Sequence, residues 1–184
     1  MTRRTREGLV FLAAFALCIP AANWLIGNVG TFCVPNGPCL IPVAPGITAP
    51  SGVLMIGAAL VLRDLVQRRL GLRYTFAAIL AGTVLSAAIA PPALVLASAA
   101  AFLISETADL AIYTPLQKRG LLTAVAASSF VGLVVDSIVF LTLAFGSLTY
   151  LWGQVIGKSW MVLAALPLIV LLRRRDERLG MGAA

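Results

Sequence analysis

Two carboxylates lie in the middle of a long apolar stretch of this sequence. Glu106 and Asp109 are about one helical turn apart and have no basic neighbour in the adjacent sequence, and Phe102 and Tyr113 lie one turn further out on either side. At about 100° per residue, these four side chains share a helix face within an arc of roughly 60°. Carboxylates inside an apolar span are costly and normally face a cavity or a partner. The pattern therefore indicates either a binding site or an ion pair that joins two helices.

The composition predicts a polytopic membrane protein. The 184 residues are 60% hydrophobic and 11% charged, and the mean hydropathy of +1.00 is that of a chain surrounded by lipid. The net charge of +7 would suit a nucleic-acid-binding protein. However, most of the basic residues are confined to the chain ends and to short connections between apolar segments, so we expect membrane lipid and no nucleic acid as a partner.

Six apolar segments are predicted to cross the membrane as helices. They cover about residues 8–30, 51–66, 74–90, 92–116, 121–146 and 148–172. Most approach the ~20 residues that a helix needs to span the hydrocarbon core, although the second and third are short. The first is too long, and too polar near its end, for a cleaved signal peptide. We predict an all-α integral membrane protein in which residues 1–184 form a single domain of six transmembrane helices.

The distribution of basic residues predicts the orientation of these spans. Basic residues precede the first span and follow the second, fourth and sixth, namely Arg3, Arg4, Arg6, Arg68, Arg69, Arg73, Lys118, Arg119, Arg173, Arg174, Arg175 and Arg178. The connections 31–50, 91–92 and 147–150 carry no charge. Since basic loops stay on the cytoplasmic side, both termini are expected to be cytoplasmic.

The first external connection, residues 31–50, is long and rich in Pro and Gly. It is too irregular for a helix and too apolar for a solvated linker, so we expect it to fold back over the bundle as a lid or re-entrant segment, or to lie on its surface. Cys33 and Cys39 both lie in this connection. They allow a disulfide on an oxidising side of the membrane, with two free thiols as the alternative, and Cys18 in the first span is expected only to pack.

The spans contain a short list of polar residues that form two layers when depth is counted at ~1.5 Å per residue. The list is Asn23, Arg63, Asp64, Gln67, Glu106, Asp109, Asp136, Gln154 and Lys158. In the outer layer, Asp136 and Lys158 reach similar depths and are expected to pair. In the inner layer, Arg63 is available to one of Glu106 and Asp109, and Asp64 can bond Arg68 one turn on.

The acids in these layers outnumber the bases. Four carboxylates stand against two cations within the spans, so at least one carboxylate must be protonated, solvated in a cavity or matched by the donors of a ligand. That surplus favours a binding site over a set of structural ion pairs.

The types of residue predict what such a site binds. Carboxylates and amides beside aromatic rings suit a flat heterocycle that carries several N–H donors. The chain has no His, and its Cys spacing fits no zinc pattern, so we expect no metal site and no cofactor. It has no Walker motif and no Ser–His or Cys–His pair, so we expect no enzymatic activity.

Four short motifs resemble one known family. They are Arg63-Asp64, the run Ser105-Glu106-x-x-Asp109-x-x-x-Tyr113, Asp136-Ser137, and Gly153-Gln154-x-x-x-Lys158. Together they resemble the VUT family of vitamin uptake transporters, which includes bacterial queuosine-precursor transporters, over roughly residues 50–158. Each motif alone would be weak, whereas the combination is specific. The long external connection with its two Cys residues departs from the family pattern and leaves the substrate open.

The resemblance implies a six-helix protein of the inner membrane that is similar to the substrate-binding subunits of energy-coupling-factor (ECF) transporters. It implies uptake of a 7-deazaguanine, such as 7-cyano-7-deazaguanine or its aminomethyl form. Carried over by position, it implies a site made of Arg63, Asp64, Glu106, Asp109, Asp136, Gln154 and Lys158.

A deazaguanine has a guanidine-like edge that one carboxylate can accept with both oxygens, and Glu106 or Asp136 is expected to do so. Gln154 and Asn23 are candidates for its carbonyl edge, and Lys158 either bonds the ligand or neutralises Asp136. Candidates for stacking are Phe102, Tyr113, Trp24 and Tyr150, although Trp and Tyr near span ends often mark the membrane interface.

Three functions remain open from the sequence. The first is a secondary carrier for a small heterocycle, and the second is a binding subunit that needs a separate ATP-driven ECF module. The third is a membrane protein whose polar pairs only hold helices together. The sequence also leaves room for a homo-oligomer.

Overall fold

The computed structural model describes residues 2–35, 37–90 and 92–180, which form six α-helices and one small sheet. The helices are α1 (Arg3–Asn28), α2 (Val53–Leu70), α3 (Leu72–Ile89), α4 (Val95–Leu116), α5 (Leu121–Phe145) and α6 (Leu151–Arg178). The strands are β1 (Phe32–Cys33), β2 (Cys39–Ala44) and β3 (Ile47–Pro50). A 3₁₀ turn, Pro92–Leu94, precedes α4.

Five of the helices in the described ranges are long and apolar enough to cross a membrane, namely α1, α3, α4, α5 and α6. The remaining helix, α2, has 18 residues and includes Arg63, Asp64, Arg68 and Arg69. Large apolar side chains such as Leu17, Val84, Phe130 and Trp152 are exposed on the outer faces of the other helices. The chain is therefore an α-helical membrane protein.

Helix α2 lies at the centre of the bundle. It contacts each of the other five helices, and twelve of its 18 residues are buried, the four charged ones included. Its charges consequently face protein and not the surrounding medium. This central position explains why α2 has a less apolar sequence than its neighbours.

The two ends of the bundle differ in chemistry. At one end, which we call the sheet end, α1 leads into the sheet and the sheet leads into α2. At the other, which we call the basic end, the start of α1 meets the ends of α2 and α6: Glu7 contacts both Arg69 and Arg175.

A network of ion pairs joins three helices at the basic end. Asp176 of α6 accepts hydrogen bonds from Arg68 at 3.0 Å and from Arg69 at 2.8 and 2.9 Å. From α1, Arg4 donates to the backbone carbonyls of Arg68 and Arg69 at 3.0 and 3.1 Å. The expected bond between Asp64 and Arg68 is therefore wrong: the long Arg68 side chain extends to α6 at the basic end, while Asp64 turns inward to α5, where Ser128 donates to it.

Replacing Asp176 with Asn should destabilise the bundle, because it leaves Arg68 and Arg69 without their shared carboxylate. We expect a loss of about 2–3 kcal/mol of unfolding free energy, below that of a fully buried pair because the network lies at the end of the bundle. Unfolding in detergent micelles measures the loss. Glu177→Gln is the control: its pair with Arg173 is exposed at 60% and 52%, and its change should stay within ~0.5 kcal/mol. Equal effects of the two substitutions would contradict this role of Asp176.

The sheet was not predicted from the sequence, which indicated only irregular structure here. Its three antiparallel strands have the order β1-β2-β3, with Phe32 opposite Leu40 and Leu40 opposite Pro50. Branched side chains such as Ile41, Val43 and Thr48 favour strands, while Pro42 lies at an irregularity in the register, where a missing N–H is tolerated.

The sheet packs against α6. The indole nitrogen of Trp160 donates to the Val43 carbonyl at 2.9 Å, and Gly153 packs directly against the Thr48 carbonyl. In β2 and β3, Leu40 and Ala49 are buried. The segment thus folds back over the sheet end of α6 as a three-stranded sheet.

Cys33 and Cys39 face each other across β1 and β2 and are joined by a disulfide, whereas Cys18 is free and buried in α1. We therefore expect one reactive thiol in the denatured, unreduced protein and three after reduction, when the protein is made with its sheet end in an oxidising compartment. Thiol labelling followed by intact-mass measurement checks this. Three labels without reduction would contradict the disulfide.

Candidate functional site

A cavity opens between the helices near the sheet end. Residues from α1, α2, α3, α4, α5 and α6 line it. Most of its wall is apolar, and its polar lining residues are Asn23, Ser86, Ser98, Asp136, Gln154 and Lys158. A concave, mostly apolar pocket with a few convergent polar groups is the usual form of a small-molecule site.

Lys158 is the centre of the polar wall of this cavity. Its ammonium nitrogen donates to Asp136 Oδ2 at 2.6 Å and to Ser137 Oγ at 2.8 Å. A third bond of 2.5 Å runs to Gln154 Oε1. These three bonds use all three donors of a buried ammonium group. The expected pairing of Asp136 with Lys158 is confirmed, and Lys158 has no donor left for a ligand.

Three other polar atoms on this wall are left available. Asp136 Oδ1 accepts only a long bond of 3.4 Å from Ser105. Gln154 spends its carbonyl oxygen on Lys158, which leaves its amide nitrogen for the cavity. Asn23 donates to the Ile19 carbonyl of its own helix at 3.0 Å, which leaves its carbonyl oxygen. The wall thus offers two acceptors and one donor.

Gly57 allows α2 and α6 to pack closely together, and this close packing positions Lys158 on the cavity wall. A Cβ built on Gly57 would lie 2.6 Å from the backbone oxygen of Lys158. Any larger residue would separate the two helices and move the Lys158 side chain. The glycine therefore holds the position of Lys158 relative to the cavity.

A second polar group, the Arg63 cluster, lies buried behind the cavity. It consists of Arg63, Asp64, Glu106, Asp109 and Tyr113, each no more than 2% exposed. These residues do not line the cavity. The cluster comes from α2 and α4 and includes four of the seven site residues that the family resemblance implies, together with Tyr113.

Arg63 binds three carboxylates in this cluster. Its Nε donates to Glu106 Oε2 at 3.2 Å, and its Nη2 contacts both Asp109 Oδ1 and, at 2.8 Å, Asp64 Oδ1. The prediction that Arg63 pairs with only one of Glu106 and Asp109 is wrong, because the guanidinium fork reaches both residues of the α4 face at once.

Arg63 also contacts the Gln67 side chain and the Tyr113 ring. Arg63 Nη1 donates to Gln67 Oε1 at 3.2 Å, and Gln67 donates to Thr114 at 3.1 Å. The Arg63 guanidinium also lies 5.6 Å from the centre of the Tyr113 ring, within range of a cation–π contact. Each of the three guanidinium nitrogens of Arg63 thus has a polar partner, while the three carboxylates share a single cation.

The aromatic residues predicted to stack on a ligand lie in different parts of the structure. Phe102 lines the cavity, whereas Tyr113 is buried in the Arg63 cluster. Trp24 is 60% exposed, and neither Trp24 nor Tyr150 is among the residues that line the cavity. Ser98, which the sequence analysis passed over, lines it one turn before Phe102 on the same face of α4, so helical spacing could have identified it.

Helix α4 links the two polar groups. Ser105 donates to Asp136 of the cavity wall, and the next residue, Glu106, binds Arg63 of the cluster. The described residues contain no group of three or more Asp, Glu, Cys or His side chains that could hold a metal ion. The arrangement can bind a polar heterocycle in the cavity and hold excess negative charge behind it.

Part of the chain is similar to a known family. A family model described as "Putative vitamin uptake transporter" matches residues 88–172, the region from the end of α3 into α6. The matched region contains Glu106, Asp109, Asp136, Gln154 and Lys158, and the match confirms the resemblance drawn from the sequence. No curated protein and no solved structure matches the chain.

Proposed function

With residues 88–172 assigned to the vitamin uptake transporter family, we propose that the chain imports a small, flat, N–H-rich heterocycle of the 7-deazaguanine class as a secondary carrier. The proposal rests on the cavity. Its wall is mostly apolar, but three polar atoms on it are available to a ligand: Asp136 Oδ1, the Gln154 amide nitrogen and the Asn23 carbonyl oxygen. A buried set of convergent polar groups of this kind serves recognition better than it serves stability.

The chain is placed in the cell inner membrane with six spans and both ends in the cytoplasm. The basic end carries the Arg-rich termini, which the positive-inside rule puts on the cytoplasmic side. Helix α2 serves as the sixth span, because its charges are buried against the other helices. On this orientation the cavity lies toward the outside, where the substrate enters.

Asp136 is the residue proposed to bind the guanidine-like edge of the substrate. Its Oδ1 atom has only the long bond from Ser105, and it lies on the cavity wall. Glu106, the other candidate from the sequence, is bound to Arg63 behind the wall. The amide nitrogen of Gln154 and the carbonyl oxygen of Asn23 then hydrogen-bond to the other edges of the heterocycle. Phe102 and Phe140 provide apolar surfaces for its ring faces.

Thermal unfolding with and without 7-cyano-7-deazaguanine tests this function. A ligand at a hundred times its dissociation constant stabilises the native state by about 2.7 kcal/mol, so we expect a clear rise in the melting temperature of the purified protein. Asn23→Leu should abolish most of that rise, because it removes an acceptor from the cavity wall. No rise in the unsubstituted protein would refute the substrate class.

Asn28→Leu is the matched control. Asn28 also donates to a carbonyl of its own helix, that of Trp24, at 2.8 Å, but it is not among the residues that line the cavity. It should keep the full ligand-induced rise. Equal losses in the two variants would mean that Asn23 does not contact the ligand.

A further inference from the structure

We propose that the Arg63 cluster binds an exchangeable proton at the pair of Asp64 and Asp109 and that this proton is the ion that drives transport. The second half of this inference rests on the proposed function, whereas the first half concerns the cluster alone. The proton would enter from the cavity and leave toward the basic end.

The charge of the cluster is the first support. Three carboxyl groups share one guanidinium, and all four side chains are no more than 3% exposed. If all ionise, the cluster carries two uncompensated negative charges in a medium where even one is costly. Protonation of a carboxylate removes that cost without any change of structure.

The geometry around Arg63 Nη2 indicates where the proton lies. Asp64 and Asp109 both contact this one nitrogen, so the two carboxyl groups are direct neighbours. Two carboxylates that share a site cannot both ionise easily, and they hold one proton between them. Each carboxyl group has one oxygen with a donor, because Ser128 donates to Asp64 Oδ2 at 2.8 Å and Arg63 donates to Asp109 Oδ1.

Each of the two carboxyl groups also has an oxygen without a donor. Within the described ranges, the buried Asp64 Oδ1 and Asp109 Oδ2 make no hydrogen bond of good geometry, and Asp109 Oδ2 lies against Gly132 of α5, where a Cβ would be 3.0 Å away. A buried, ionised oxygen without a donor is strongly unfavourable, whereas a protonated carboxyl group tolerates it. The pair of Asp64 and Asp109 is therefore the site that carries the proton.

Other titratable or charged groups surround the cluster on the helices packed against it. In the described residues these are Cys18 of α1, Arg68 of α2 and Asp136 of α5, with Lys158 of α6 behind Asp136. Lys158 is already paired with Asp136, and Arg68 with Asp176. Neither cation is free to compensate Asp109.

Polar groups extend from the cluster toward both ends of the bundle. Toward the cavity, Glu106 follows Ser105, which bonds Asp136. Toward the basic end, Arg63 bonds Gln67, and Gln67 bonds Thr114. In the proposed step a hydronium ion on the cavity side transfers its proton to a carboxylate of the Asp64–Asp109 pair and leaves as water. On the basic side that O–H bond breaks, the carboxylate is restored, and a water molecule accepts the proton as hydronium.

Infrared spectroscopy of the purified protein tests the proton site without any substrate. At neutral pH we expect a carbonyl band of a protonated carboxylic acid that shifts in heavy water, because the proton exchanges. Asp109→Asn, which keeps an oxygen for Arg63, should remove the band, and the exposed control Glu177→Gln should retain it. Absence of the band in the unsubstituted protein, or its persistence in Asp109→Asn, would overturn the assignment.

Proteoliposomes with and without an inward proton gradient test the coupling, with 7-cyano-7-deazaguanine as the probe. One pH unit supports up to about tenfold accumulation for one proton per neutral substrate, and Asp109→Asn should lose the dependence of accumulation on the gradient. Probe exchange that ignores the gradient would overturn the coupling and leave the proposed function standing. An infrared band without any probe exchange would leave the proton site standing and overturn the proposed function.

Discussion

Arg63→Met is expected to lower the unfolding free energy by about 3–5 kcal/mol, as removal of one partner from a buried ion pair does. Arg63 is fully buried, and its guanidinium contacts Asp64, Glu106 and Asp109. Without it, three carboxyl groups remain in a buried site that contains no cation. Unfolding of the purified protein in detergent micelles measures the loss.

Two further variants show whether charge is the cause. A quadruple variant that adds Asp64→Asn, Glu106→Gln and Asp109→Asn to Arg63→Met removes the charges along with their partner, so it should recover a large part of the loss. Arg173→Met is the control and should change the unfolding free energy little, because the pair of Arg173 with Glu177 is exposed to solvent. If the quadruple variant is less stable than the single one, the cluster stabilises the fold by shape and hydrogen bonding and not by charge compensation.

Asp136→Asn and Lys158→Met are each expected to cost about 3–5 kcal/mol as well, because each leaves the other charge buried and unpaired. The two groups are 2.6 Å apart and no more than 9% exposed. The double variant should cost less than the sum of the two, with a coupling of about 0.5–3 kcal/mol. The same unfolding measurement on all four proteins gives this coupling energy.

A distant pair provides the control for this cycle. Asp136 lies on the cavity wall, and Asp176 lies in the network at the basic end. Their effects on stability should add to within ~0.5 kcal/mol. A similar coupling in both cycles would mean that the variants act through general loosening of the bundle and not through the ion pair.

The sequence was sufficient to predict the helices and the ion pair on the cavity wall. Apolar segments and their lengths identify membrane helices directly. The pairing of Asp136 with Lys158 followed from depth alone, since both are near the same level of adjacent helices, α5 and α6. The depth of a residue in the membrane can be calculated from the rise per residue of a helix alone, and this rise is constant.

The partners of Arg63 could not be predicted in the same way, because they depend on how each helix is rotated. The sequence places Arg63, Glu106 and Asp109 at one level but does not say that α2 lies at the centre, in contact with every other helix. The two layers counted from depth do separate Asp136 and Lys158 from Arg63, Glu106 and Asp109, but depth does not say which layer lines a cavity. The sheet was missed because its pairing is a tertiary effect, held by contacts with α6 and by a disulfide.

Uptake into liposomes that contain only this chain is the most direct test of the proposed carrier. Purified protein reconstituted alone should accumulate labelled 7-cyano-7-deazaguanine over time, above the level in empty liposomes, and an excess of unlabelled compound should compete. Preparations that bind the compound, as measured by a rise in melting temperature, yet show no uptake would contradict the account and assign the chain to a binding subunit that requires a separate ATP-driven module.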